Sequence, residues 1–160
     1  MPQRVIATDY VFKEVALTMD TAQYGDGDVL AAAQEITGVF QSARPVELRS
    51  LTLLDKDDQG GALDILFLRT SVAMGSENAA LALTDAAAEE IMGKVSVGTA
   101  DYTDLGSSQY VQKTAAAGDA GMGLVLLPDG GQSLYIAAIS RGTKTYTASG
   151  ITLKLGFARP

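Results

Sequence analysis

"LLDKDDQGGALDILFL", residues 53–68, sets two apolar runs on either side of an acidic, glycine-bearing link, and how that link is read decides the fold. Asp55, Asp57 and Gly60 occupy positions 1, 3 and 6 of the calcium-loop pattern D-x-[DN]-x-[DN]-G. Such a loop needs a bidentate glutamate at its twelfth position, because calcium takes roughly six to eight oxygens. Here that position is Leu66, the fifth is Gln59 and the ninth is Leu63, so three ligand positions hold poor or apolar residues. The flanks are β-type rather than helical. The segment reads as two strands joined by the solvated tip of a hairpin, with Asp and Gly supplying turn geometry, and no metal is expected.

Working upstream, "VELRSLTLL" (46–54) alternates from Val46 and Leu48 and changes phase at Leu51 and Leu53. A bulge near Ser50, or burial on both faces, accounts for that shift. Downstream, "ALDILFLR" (62–69) is the densest apolar run and reads as a central strand. Further strands are expected at "VALTMD" (15–20), at "VLAAAQEITGVF" (29–40, mostly strand despite one helix-compatible turn), "KVSV" (94–97), "SQYVQKTAA" (108–116), "GLVLLP" (123–128), "SLYIAAIS" (133–140) and "ITLKLGFA" (151–158). One helix is expected at "TDAAAEEIMG" (84–93), capped by Thr84 or Asp85 and stopped by Gly93. "GDAGMG" (118–123) and "PDGGQS" (128–133) read as hairpin loops, since neither has a phosphate-cradling order.

Many short strands, one small helix and no β-α-β alternation define an all-β fold: an antiparallel β-sandwich, jelly-roll-like. Residues 1–14 read as an N-terminal extended arm or first strand and residues 15–160 as a single sandwich domain. Length agrees, since 160 residues suffice for one core burying roughly 70% of the unfolded surface.

Charge and composition remove whole classes of function. The net charge is −7, which repels phosphate backbones and anionic lipid, so neither nucleic acid nor membrane is an expected partner. No apolar run approaches the roughly 20 residues of a membrane span, and the first residues lack the apolar stretch of a secretory signal. Cys, His and Trp are absent, which excludes thiol and imidazole chemistry, structural zinc and disulfides. No cofactor is expected. Acid–base work would fall to carboxylate pairs, Asp57/Asp58, Glu89/Glu90 or Asp101/Asp104, which read more simply as solvated turn and helix charges. Arg141, Lys144 and Tyr146 share one long connection that could hold an acidic partner or a glycan, with Tyr146 as an aromatic platform and Tyr102 and Tyr110 as further candidates, but it reads more simply as a polar loop between two strands. The chain reads as a binding or structural protein, not an enzyme.

The order "LTMDTAQYGDGDVL" (17–30), "SLTLLDKDDQGGALDILFL" (50–68), "NAALALTD" (78–85), "IMGKVSV" (91–97), "LYIAAISRGTKTYT" (134–147) and "LKLG" (153–156) resembles a family of small tailed-phage virion structural proteins. The resemblance rests on Asp20-Thr21, Tyr24 and Gly27-Asp28-Val29, on Asp55-Lys56, Gln59 and Ala62-Leu63-Asp64, and on Ser140-Arg141-Gly142-Thr143. It implies a capsid decoration (cement) protein made in the host cytoplasm, located on the capsid surface of the virion and bound to the major capsid protein as a homotrimer. A tail- or fibre-associated protein with receptor or glycan binding is the alternative. The family supplies no contact motif. Arg4, Tyr10, Phe12 and Lys13, on the N-terminal segment, are the expected partner contacts, since an extended segment can add a strand to a neighbour's sheet.

Overall fold

The phase change in the 46–54 segment is a bulge. In a computed structural model describing residues 8–159, β3 (Val46–Asp55) pairs with β10 (Ile151–Arg159), Ser50 opposite Gly156 and Leu48 opposite Phe157. Arg49 is the extra residue. Val46 and Leu48 on one side of it, and Leu51 and Leu53 on the other, all reach the same core.

The link after β3 is a turn, but it is not a hairpin. β3 and β4 (Leu63–Leu68) lie in different sheets, so residues 56–62 carry the chain across the sandwich. Asp55 is not solvated either. Its side chain is buried and organises the crossing, accepting from the backbone N–H groups of Asp57 (3.0 Å), Gln59 (2.9 Å) and Gly60 (2.8 Å). Asp58 and Gly60 take the positive φ values, 56° and 55°, that the turn requires.

The remaining strands are β1 (Asp9–Ala16), β2 (Val29–Ile36), β5 (Ile91–Val97), β6 (Thr103–Asp104), β7 (Gln109–Thr114), β8 (Val125–Leu126) and β9 (Leu134–Ser140). One sheet has the order β1-β10-β3-β7-β6, with β8 also on β3, and the other has the order β2-β9-β4-β5. The pairs are nested: β4 with β5, β3 with β7, β2 with β9, β1 with β10, all antiparallel and alternating between sheets. A single long ribbon rolled on itself gives that nesting, which is the jelly roll. The core lies between the sheets, with Phe40, Phe67 and Phe157 fully buried among leucine, isoleucine and valine.

Several expected elements shift. The helix is α1 (Asp85–Ala88), capped by Thr84 Oγ1 accepting from Ala87 N at 3.2 Å; Ile91, Met92 and Gly93 belong instead to β5. Pairing with Leu68 and Phe67 outweighs the helical propensity of the alanine and glutamate residues before them. "VALTMD" yields only the end of β1, and residues 17–20 leave the sheet. "GDAGMG" joins β7 to β8, which both pair with β3 and not with each other, and "PDGGQS" crosses between sheets. Neither loop closes a hairpin.

Candidate functional site

The two sheets differ in how their outer faces are treated. On the four-stranded sheet, Leu66, Leu68, Ala137 and Ile139 pack under Met74, Val72, Leu81 and Leu83 from the 69–90 connection, forming a second apolar cluster. The chain covers that face itself. No described segment does the same for the outer face of the larger sheet.

Strand register builds that open face row by row. Tyr10, Ala158, Glu47 and Val125 stand side by side across β1, β10, β3 and β8. The next rows are Phe12, Gly156, Ser50 and Thr114, then Glu14, Lys154, Thr52 and Gln112. Directly opposed residues share a face, so these side chains all point away from the core. Tyr10 is 58% exposed, Phe12 74% and Val125 62%. Phe12 lies over Gly156, where an added Cβ would come within 2.9 Å of the ring and would also strike the Ser50 hydroxyl. Beside Val125 a recess of about 280 Å³ is lined by Thr8, Pro45, Val46, Glu47, Ala158 and Arg159.

Charge on this face cancels. Glu14 pairs with Lys154 at 3.6 Å and Glu47 with Arg49 at 2.8 Å, two acids against two bases on a chain of net charge −7. Both pairs are solvent-exposed and contribute little to stability. What they leave is a partly aromatic surface on which the paired charges offset one another.

Of the expected contact residues, Tyr10 and Phe12 stand on this face. Lys13 sits in the inward row with Leu155 and Leu51, its ammonium beside Gly38. Arg4 lies outside the described residues. The proposed aromatic platform is overturned: Tyr146 is 4% exposed and packs against Tyr24 with ring centroids 6.3 Å apart. Tyr102 is also turned inward, its hydroxyl donating to the Gly61 carbonyl at 2.7 Å. Burial raises the hydroxyl pKa values of Tyr102 and Tyr146, and that of Tyr24 to about 12.

The carboxylate pairs do not converge. Asp57 accepts from Thr147 N at 2.7 Å, while Asp58 accepts from Gln109 Nε2 at 2.7 Å. Asp101 accepts from Gly98 N at 2.8 Å and pairs with Lys113 at 2.9 Å, and both contacts hold its carboxyl below the usual range. Asp104 accepts from Gly106 N at 2.6 Å. Glu89 caps α1, and Glu90 offers its carbonyl to Arg69 N at 2.9 Å. Among the described residues no three acidic side chains are placed to hold a metal ion.

Asp64 is not among the expected site residues. It stands on β4 with a nearly buried carboxylate that accepts from Ser96 Oγ (2.5 Å) and Arg141 Nε (2.7 Å), with Lys94 at 3.4 Å. Burial alone would raise its pKa, but the Ser96 and Arg141 hydrogen bonds and the two cations bring it below the ordinary value. The signal was present: an aspartate inside "ALDILFLR" must meet a partner.

Fold and site together define a jelly-roll domain with one self-covered and one open sheet face. No family model matches the chain, and no curated protein matches it in sequence. Among solved structures, a chain of Desmodium yellow mottle tymovirus superposes at 11% identity and a TM-score of 0.28, over 100% of this chain and 86% of that one. A chain of infectious bursal disease virus, Gx strain, superposes at 12% identity and a TM-score of 0.23, over 99% of this chain and 43% of that one. Superpositions this loose carry no weight for the role of the chain, and the jelly roll stands on its strand pairing.

Proposed function

We propose that this protein is a structural component of a virus particle, a decoration (cement) protein that binds the major capsid protein on the head surface of a tailed phage and stabilises the shell. The observation that carries the reading is the open outer face of the larger sheet, with Tyr10, Phe12 and Val125 exposed on a surface whose charges cancel. Large exposed aromatics on an open sheet face favour a protein contact, and an acidic chain that presents a face of offset charges can approach another protein without bringing its net charge to bear. The resemblance to small tailed-phage virion proteins supports the particle and implies a homotrimer.

Purified protein mixed with undecorated heads and imaged by cryo-electron microscopy tests this. Added density on the shell, with the outer face of the larger sheet turned towards it, is the expected result. Bare heads at saturating protein, or density contacting only the 69–90 side, overturns the reading.

A further inference from the structure

Sheet edges are ready templates for pairing, and this chain guards most of its own. The edge of β5 is overlaid by the 121–127 segment, with Gly121 against the Lys94 carbonyl and Leu124 over Gly93. The edge of β2 is broken by two register shifts and occupied at Val29 by Asn78 and Ala79. β7 is partly covered by β6. β1 differs: its pairing with β10 is regular from Asp9 to Ala16.

Which groups it leaves open follows from one bond. Leu17 N donates to the Ile151 carbonyl at 2.9 Å, so odd-numbered residues of β1 turn their backbone groups towards β10. Even-numbered residues turn theirs outward, and Gln34 Nε2 on the Ala16 carbonyl at 3.2 Å agrees. Among the described residues no other hydrogen bond reaches the outer edge of β1. Gln34 therefore stops any added strand at Glu14.

We infer that β1 pairs antiparallel with β1 of a second copy of this chain across a two-fold axis at Val11. In that register Tyr10 faces Phe12 of the second copy, Asp9, which already pairs with Arg159 of its own chain at 3.2 Å, faces its Lys13, Thr8 faces its Glu14, and Val11 faces itself. Every outward backbone group from Thr8 to Glu14 is used and the one Gln34 occupies is left alone. Aromatic and opposite-charge pairs are favourable cross-strand neighbours. Shifting the axis to Lys13 sets two ammonium groups face to face. Shifting it to Phe12 brings Ala16 into play and loses Asp9 opposite Lys13. The pairing is isologous and closed, so it makes a dimer and not a filament. It replaces the three-copy arrangement that the resemblance implies, and it stands or falls separately from head binding.

Sedimentation equilibrium of the full chain across a concentration series is expected to give a two-chain mass. The chain contains no cysteine. Val11→Cys therefore sets one thiol opposite its copy in a non-hydrogen-bonded pair about 4.5 Å apart between Cα atoms, within disulfide reach. It is expected to oxidise to a covalent dimer, while Lys13→Cys, which faces Asp9, stays uncrosslinked. Tyr10→Pro removes an outward N–H and leaves the β10 ladder intact, so its melting curve at low concentration is expected to persist while the dimer dissociation constant rises more than about tenfold. A one-chain or three-chain mass, equal crosslinking of the two cysteine variants, or a dimer untouched by Tyr10→Pro overturns the pairing.

Discussion

Arg141 Nε donates to Asp64 Oδ2 at 2.7 Å, tying the residue after β9 to a carboxylate on the neighbouring β4. Asp64 is 6% exposed at its side chain, whereas Arg141 is 43% exposed. The pair is therefore asymmetric: the guanidinium can turn to water, and the carboxylate cannot. Arg141→Ala is expected to cost about 1–2 kcal/mol at neutral pH, because it removes a charged donor from a buried carboxylate and leaves only Ser96 and the longer Lys94 contact. The sign with pH follows from the lowered pKa of Asp64. A carboxyl held below its unfolded value stabilises the fold above that value, and the contribution disappears as pH falls through the folded pKa. Urea unfolding of wild type and Arg141→Ala at pH 7 and at pH 3 should show the penalty shrinking in acid.

Asp55 runs the other way. Burial pushes its carboxyl up, against hydrogen bonds from Gly60, Asp57 and Gln59 that pull it down. A group raised in the folded state contributes most below its unfolded value of 3.8 and loses that contribution as pH rises through the folded pKa. Asp55→Ala leaves three turn N–H groups without their acceptor, at a cost of about 2–3 kcal/mol. The penalty is expected to be larger at pH 3 than at pH 7, the reverse of Arg141→Ala. Parallel pH trends in the two variants would show that one assignment is wrong.

These two aspartates mark what the sequence does and does not reveal. The bulge in β3 was legible because the step from Leu48 to Leu51 cannot occur on a regular strand with one buried face. The all-β class was legible from strand-length apolar runs separated by glycine-rich turns. The destination of each connection was not, because turn chemistry is local: Asp and Gly bend the chain equally well into a hairpin or across a sandwich. The burial of Asp55 follows from that choice and was hidden with it. The helix over 84–93 was overextended because Glu89 and Glu90 favour helix locally, while Ile91 and Gly93 answer to β4. On the open face, Phe12 and Tyr10 stand two residues apart on one strand and so share a side of β1. That Val125 joins their surface from a segment far along the chain required the register of three further strands.

A strained turn offers a test of stability unrelated to any partner. Arg44 N donates to the Gln41 carbonyl at 3.1 Å, with Ser42 and Ala43 between them at φ 52° and 55°. Two consecutive left-handed residues make a type I′ turn, which normally carries Asn and Gly. Left-handed backbone costs an L-residue roughly 1–2 kcal/mol, and glycine gives back about 0.4–1 kcal/mol of that through the unfolded chain. Ala43→Gly is expected to stabilise the fold by about 0.5–1 kcal/mol, read as a rise in the urea midpoint with an unchanged slope. A lowered midpoint would mean that the turn does not hold this geometry in solution.

The open face can be perturbed from beneath or from above, and the two should give different results. Gly156 lies under Phe12 and beside Ser50, and an added methyl meets both. Gly156→Ala is expected to destabilise the protein by about 1–3 kcal/mol, the range for forcing atoms into a filled space. Val125→Asp acts from above. Its side chain is 62% exposed, so folding stability should stay within about 0.5 kcal/mol of wild type. Yet it places an unpaired charge where the face is otherwise neutral, and a partner seated there would have to desolvate it. Melting curves and head-binding isotherms on both variants separate the effects. Gly156→Ala should lower the melting temperature and, by displacing the Phe12 ring, weaken binding as well, whereas Val125→Asp should melt normally and bind at least about tenfold more weakly. Undiminished binding by a folded Val125→Asp protein would remove the outer face of the larger sheet from the contact.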